Sequence, residues 1–140
     1  MAAELSASLE DYLELICNLI ETSKDVKASE IAKKLNISRA SVSEALMKLA
    51  DKKLVVYESR KGIIVTPEGL KKAQTVIEKH NTFTNLFEEV LGFERAQAEE
   101  TACKIEHVID DCVFQRIKQF LQFCTKNEKF IQDFKKENNY

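Results

Sequence analysis

Only four residues in this 140-residue chain break regular backbone on their own account: Gly62, Pro67, Gly69 and Gly92. A chain so sparsely punctuated has few places to turn sharply. It is expected to be mainly helical, with any strand lying close to those breakers. At 44% hydrophobic it has enough apolar material for a core, and its length suits one large domain or two small ones packed closely. Its apolar runs fall short of membrane-spanning length and no charged-then-apolar leader opens it, so the expectation is a cytoplasmic protein with no membrane partner. The cysteines Cys17, Cys103, Cys112 and Cys124 show no CxxC spacing and are expected as free thiols. Cys17 and Cys112 sit among apolar neighbours and read as small core residues.

Residues 6–22 read as a first helix, with Ser8 before a run of Leu9, Tyr12, Leu13, Ile16, Leu19 and Ile20 at helical spacing. Asp11 and Glu14 share a face of it, and carboxylates there ordinarily serve the helix dipole or solubility. Residues 27–35 read as a short helix opened by Ser29 or the residue before it. Asn36-Ile37-Ser38 reads as a tight turn, and residues 39–52 as a second helix capped by Ser38. Ile31, Ala32 and Leu35 are expected to pack on Ile37, Val42 and Leu46, with Ala45 and Leu49 on the same buried face. This is the pattern of a helix-turn-helix. Leu54 to Tyr57 and Ile63 to Thr66 then read as strands joined by a turn from Glu58 to Gly62, and Pro67 opens the next helix.

A helix-turn-helix followed at once by a hairpin with a basic tip is a winged helix. From Lys24 to Lys72 there are twelve Lys/Arg against six Asp/Glu, whereas the remainder of the chain is acidic. Such an asymmetry points to one part that meets a polyanion. The second helix presents Arg39, Ala40, Ser41, Ser43 and Glu44 at its start, short groups that permit close approach to a major groove, with Arg able to fork onto guanine. Together with Lys27, Ser38, Lys48 and the wing residues Arg60 and Lys61, they form the candidate DNA-binding set. The domains are expected at 1–72 for the winged helix and 73–140 for a helical remainder.

In that remainder, residues 67–91 read as one long helical stretch with a break near Asn81-Thr82, where Leu70, Ala73, Val76 and Ile77 continue the first core. Helices are also expected over 94–107, 111–123 and 126–140. Phe83, Phe87, Phe114, Phe120 and Phe123 exceed what a small bundle can bury, so part of that surface reads as a dimer interface. Ala102 to His107 carries the chemistry. If helical, it sets Cys103, Glu106 and His107 on one face, a thiolate, a carboxylate and an imidazole that form a partial coordination sphere for a divalent metal.

Taken together, Glu10-Asp11-Tyr12-Leu13, the winged helix, Lys79-His80 and Cys103-Lys104-Ile105-Glu106-His107 resemble the DtxR/MntR family of metal-dependent transcriptional repressors. The resemblance runs from about Ser8 to about Phe123. It implies an N-terminal winged helix and a C-terminal helical metal-binding and dimerisation domain. It also implies a homodimer that binds a palindromic operator when loaded with Fe(II) or Mn(II), and represses metal-uptake genes. Asp11, Glu14, His80, Cys103, Glu106 and His107 fall where the family places ligands, and Glu99 one turn before Cys103 could join a second site. The carboxylates Asp11 and Glu14 match the manganese branch. Cys103 matches the iron branch, which carries other ligands where Asp11, Thr84 and Glu99 stand. One or two ions per subunit are implied, with the thiolate favouring Fe(II) and the carboxylates Mn(II). The iron branch's SH3-like domain is not expected. The competing class is a metal-independent winged-helix regulator with His80 and His107 as satisfied core histidines. A metallohydrolase is disfavoured because no Gly-rich phosphate loop accompanies the ligands.

Overall fold

The computed structural model describes residues 5–23, 25–58 and 60–140. It forms two compact units, Met1–Val76 and Ile77–Tyr140.

In the first unit, α1 (Ala7–Thr22) is capped by Ser6, whose Oγ accepts from the Leu9 amide at 3.3 Å. Ser8 lies in its first turn, and the helix expected from residue 6 begins one residue later, because Ser6 has extended backbone. Next comes α2 (Ala28–Leu35), opened by Lys27 without any side-chain cap rather than by Ser29 or Ala28. Asn36 ends it in the left-handed conformation, one of the few non-glycine residue types that enters that region readily. The turn delivers Ser38, which caps α3 (Arg39–Asp51) by accepting from the Ser41 amide at 3.1 Å. Val42, Ala45, Leu46 and Leu49 are buried as expected, together with Ile31 and Ala32 of α2. Leu35 and Ile37 are not. The left-handed residue between them turns both to the surface, at 38% and 37% exposure.

Strands β1 (Val55–Glu58) and β2 (Gly62–Val65) pair antiparallel, with Val55 opposite Val65 and Tyr57 opposite Ile63. The two-residue period buries Val55 and Ile63 and leaves Val56 and Ile64 outside. Thr66 then joins hairpin to helix. Its Oγ1 donates to the Lys53 carbonyl at 2.7 Å and accepts from the Gly69 amide at 3.0 Å. Pro67 begins α4 (Pro67–Asn85). Gly69 faces the hairpin so closely that a Cβ there would lie 2.0 Å from the Leu54 carbonyl oxygen. That contact sets the phase of α4: Gly69, Ala73 and Val76 turn inward, and Leu70, rotated about 100° from Gly69, is exposed instead of continuing the core.

The second unit has no break at Asn81-Thr82. Thr82, Phe83 and Thr84 are all buried, and α4 runs on to Asn85 before a π-helical turn over Leu86–Val90. Gly92, at φ +78°, ends the segment. The remaining helices are α5 (Arg95–Ile105), α6 (Asp111–Lys126) and α7 (Glu128–Asn138). Phe83, Ala102 and Phe114 form the core, with Phe83 and Phe114 ring centroids 6.2 Å apart. Phe120, Phe123 and Phe130 remain about half exposed. Cys124, not Cys112, is the buried thiol of this unit.

Two predictions follow from the first unit. Gly69→Ala should lower its stability by about 1–3 kcal/mol, measured by urea unfolding; an unchanged midpoint would contradict the backbone contact. Burial, and after it the charges of Glu21 and Glu14, push the Cys17 thiol from 9.0 up to about 11. A group raised in the folded state contributes stability below its unfolded value, lost as pH climbs through the folded one. Unfolding free energy should therefore fall between pH 9 and about 11, and fall less in Cys17→Ala.

Candidate functional site

The inward face of α5 is made by Ala98 and Ala102, both essentially inaccessible, whose small side chains let the helix approach its neighbours closely. Glu106 lies one further turn along that face. It is the C-cap of α5, still in right-handed helical conformation, with its amide donating to the Ala102 carbonyl at 3.0 Å. Helical periodicity thus carries a carboxylate into the interior, where Glu106 is 2% exposed. A buried carboxylate has to be matched by donors or charge. On α4, His80 supplies one match, its Nδ1 2.6 Å from Oε2 of Glu106. His107 supplies a second, its Nε2 3.3 Å from Oε1. Cys103, on the outer flank of α5, brings Sγ to 3.6 Å from the same His80 Nδ1.

His80, Cys103 and Glu106 thus place nitrogen, sulfur and oxygen donor atoms within 4.8 Å of one another. Ligand bonds of about 2.0–2.3 Å put neighbouring ligands of a transition ion about 3–4 Å apart. The sulfur–nitrogen separation already meets that, while the short His80–Glu106 hydrogen bond would have to lengthen. The donor set therefore fits a divalent transition ion, mixed in softness as Fe(II) and Zn(II) accept and with the carboxylate that Mn(II) favours. The expectation that Cys103, Glu106 and His107 form one face needs amendment. Glu106 is the hub, with Cys103 beside one of its imidazoles and His107 on its other oxygen, because the helix ends at Ile105 and the chain is turning by His107.

Glu99 accepts from Arg95 Nε at 2.7 Å, and the same guanidinium reaches Glu88 at 2.9 Å. Thr84 is 1% exposed, and its hydroxyl has no hydrogen-bond partner among the described residues. Asp11 and Glu14 lie on α1 of the first unit, three residues apart on one face.

The candidate DNA-binding residues all belong to the first unit. Arg39, Ala40, Ser41, Glu44 and Lys48 are exposed along α3, and Ser43 is half-buried. Ser38 is committed to its cap and also bonds the Ser41 hydroxyl at 2.9 Å. Lys48 pairs with Glu44 at 2.7 Å, holding that carboxyl below its ordinary range by hydrogen bonding and then charge. Lys61 pairs with Glu58 at 2.8 Å. Exposed pairs of this kind are weak, so both lysines can be recruited by a polyanion at little cost. Between the start of α3 and the wing lies a groove of about 420 Å³ where Lys27, Arg39, Arg60 and Lys61 converge. Ser29 and Tyr57 line it too and were not expected. Only the register, which sets Tyr57 on the wing's inner side opposite Ile63, reveals the latter. Among the described residues no helix is long and apolar enough to cross a membrane.

Known proteins match this chain along most of its length. Residues 4–63 match the iron dependent repressor N-terminal DNA binding domain, and residues 66–133 the iron dependent repressor metal binding and dimerisation domain. An uncharacterized HTH-type transcriptional regulator of Methanocaldococcus jannaschii is 38% identical over 119 residues, 84% of this chain and 95% of that one. The HTH-type transcriptional regulator MntR of Geobacillus thermodenitrificans is 30% identical over 89% of this chain and 88% of its own. Among solved structures, that of the manganese regulator SloR superposes with a TM-score of 0.72 at 29% identity, covering 82% of this chain. The chain spans only about half of SloR, 54% of its length.

The burial of the thiols makes a direct check on this geometry. Iodoacetamide at neutral pH should label the exposed Cys103 and Cys112 of the folded chain and spare Cys17 and Cys124, whose thiols burial pushes up. Labelling of Cys17 ahead of Cys103, read by peptide mass spectrometry, would contradict it.

Proposed function

This chain belongs to the iron-dependent repressor (DtxR/MntR) family of metal-dependent transcriptional repressors, and from that premise we propose that it binds a palindromic operator as a homodimer when loaded with Fe(II) or Mn(II). The observation that carries the reading is the buried Glu106 carboxylate, with His80 and Cys103 gathered on the same side of it. A bound divalent ion would supply the positive charge that lets a carboxylate and a thiolate share so small a volume with imidazoles. His80, Cys103 and Glu106 would hold it, with His107 orienting the far oxygen of Glu106. On their positions in the sequence, Asp11 and Glu14 are proposed as the ligands that α1 contributes. Glu99 is proposed for a second ion, which would first have to displace Arg95. One ion per subunit is thus favoured over two.

Within the first unit α1 packs against α3. Ligands drawn from α1 would make the metal-loaded state differ from the metal-free one in how α3 is presented to DNA. Such differential affinity is what linkage requires of an effector. Arg39 and the short side chains after it would read the groove, and Lys27, Arg60 and Lys61 would neutralise phosphates. The half-exposed Phe120, Phe123 and Phe130 support a second copy of the chain as partner. Repression of metal-uptake genes in the cytoplasm completes the proposal.

A metal-independent regulator keeps one observation in its favour, since the His80–Glu106 hydrogen bond already satisfies both groups. Anaerobic equilibrium dialysis separates the two readings, because that alternative binds no Fe(II) or Mn(II) at micromolar concentration. Selection from a random duplex pool with Mn(II) present should enrich a palindrome, bound roughly 5- to 150-fold more weakly once the metal is chelated. Asp11→Ala combined with Glu106→Ala should give a folded dimer whose affinity for that duplex no longer responds to Fe(II) or Mn(II). A response that persists in the double variant overturns the mechanism.

A further inference from the structure

We propose that Lys79 is a positioning residue for the metal centre, fixing the loop between α5 and α6 and so setting where Glu106 and His107 stand. The inference rests on the metal-centre reading above. Lysine is rarely buried, yet the Lys79 side chain is only 12% exposed. Its Nζ donates to the Ile109 carbonyl at 3.3 Å, pairs with Asp111 Oδ1 at 2.7 Å, and lies 5.8 Å from the centre of the Phe114 ring. Those partners run from the end of the loop, through the first turn of α6, into the core. The next residue, His80, meets Glu106 at the start of the same loop. Consecutive helical positions diverge by about 100°, so adjacent residues of α4 can hold opposite ends of the connection over 106–110.

Neighbouring contacts show what is particular to Lys79. Glu78, one residue earlier, forms an ion pair with Lys118 that also joins α4 to α6 but involves no loop residue. If Lys79 merely fastened two helices, the two pairs would be equivalent. Elsewhere the loop is held by the Val108 and Ile109 amides on the Ile105 carbonyl, and by the Ile109 side chain against the core. These fix its middle, and Asp110 caps α6 by accepting from the Cys112 amide at 2.8 Å; Lys79 adds a tie from this end of the loop back to α4. Electrostatics and positioning also make opposite predictions. Removing a cation near a cation site raises metal affinity if charge alone acts, whereas loosening the loop lowers it.

Mn(II) affinity of the full chain, by calorimetry, is the test, with the metal-free melting temperature measured alongside. Lys79→Met should weaken Mn(II) binding on the order of 10- to 100-fold, as loss of a group that orients ligands does. Lys79→Arg, which can donate to both acceptors, should recover most of it. Lys118→Met should leave the affinity unchanged. Mn(II) should likewise protect Cys103 from iodoacetamide at lower concentration in the parent chain than in Lys79→Met, with Cys112 as the internal control. Should Lys79→Met fail to fold, Asp111→Asn at an 83%-exposed position removes one anchor and should show a smaller loss in the same direction. Equal affinity in the parent and Lys79→Met, tighter binding in Lys79→Met, or an equal loss in Lys118→Met overturns the proposal alone. Absence of Mn(II) binding by the parent chain overturns the metal centre along with it.

Discussion

A carboxylate at 2% exposure cannot keep its charge inside a protein without compensation, and the second unit is arranged around that demand at Glu106. Ala98 and Ala102 turn one face of α5 inward, and the helical repeat delivers Glu106 to the end of it. From there the needs of its two oxygens select their neighbours. One takes His80 from α4 and the other takes His107 from the turn that follows. Removing one partner from a buried polar pair typically costs several kcal/mol. The same grouping is therefore self-consistent as a hydrogen-bonded cluster and available as a ligand set. A site of that kind can be stable in both states, which an effector-controlled protein requires.

The first unit has a different logic. Its core is apolar, and its exposed edge is where Lys and Arg gather around the uncapped start of α2, the start of α3 and the wing. Lys48 and Lys61 pair with exposed glutamates, so these pairs orient the lysines without committing them. The junction at Thr66 and Gly69 determines where the hairpin stands against α4. There a hydroxyl serves as both donor and acceptor, and the absence of a side chain lets helix meet backbone.

Much of this could be read from residue order, and what could not has physical reasons. Helical spacing and the four breakers located the helix-turn-helix, the wing and α4, and Ser38 was recognisable as a cap. Solvent exposure was less legible. Leu35, Ile37 and Leu70 are apolar and were assigned to the core, but a left-handed residue and a glycine contact rotate them outward. Asn81-Thr82 resembled a break because polarity in a helix ordinarily means solvent, whereas here Thr82 and Thr84 are buried. Cys103, Glu106 and His107 were legible as a group by spacing, yet their division around Glu106 was not, since it depends on the helix ending at Ile105. Lys79 was legible only as the neighbour of His80 in the Lys79-His80 pair, with no role of its own, because its partners lie thirty or more residues later in the chain.

On the proposed function, Cys103 and its imidazole and carboxylate neighbours share one metal ion. Cobalt(II) reports on it directly, because thiolate ligation adds an intense sulfur-to-metal charge-transfer band to the weak d–d spectrum of an oxygen and nitrogen site. Anaerobic Co(II) titration of the chain should develop that band to saturation at a fixed stoichiometry. In Cys103→Ser it should be absent while d–d absorption persists at higher cobalt. An identical spectrum in the two proteins, or no saturable cobalt binding by the parent chain, would contradict the account.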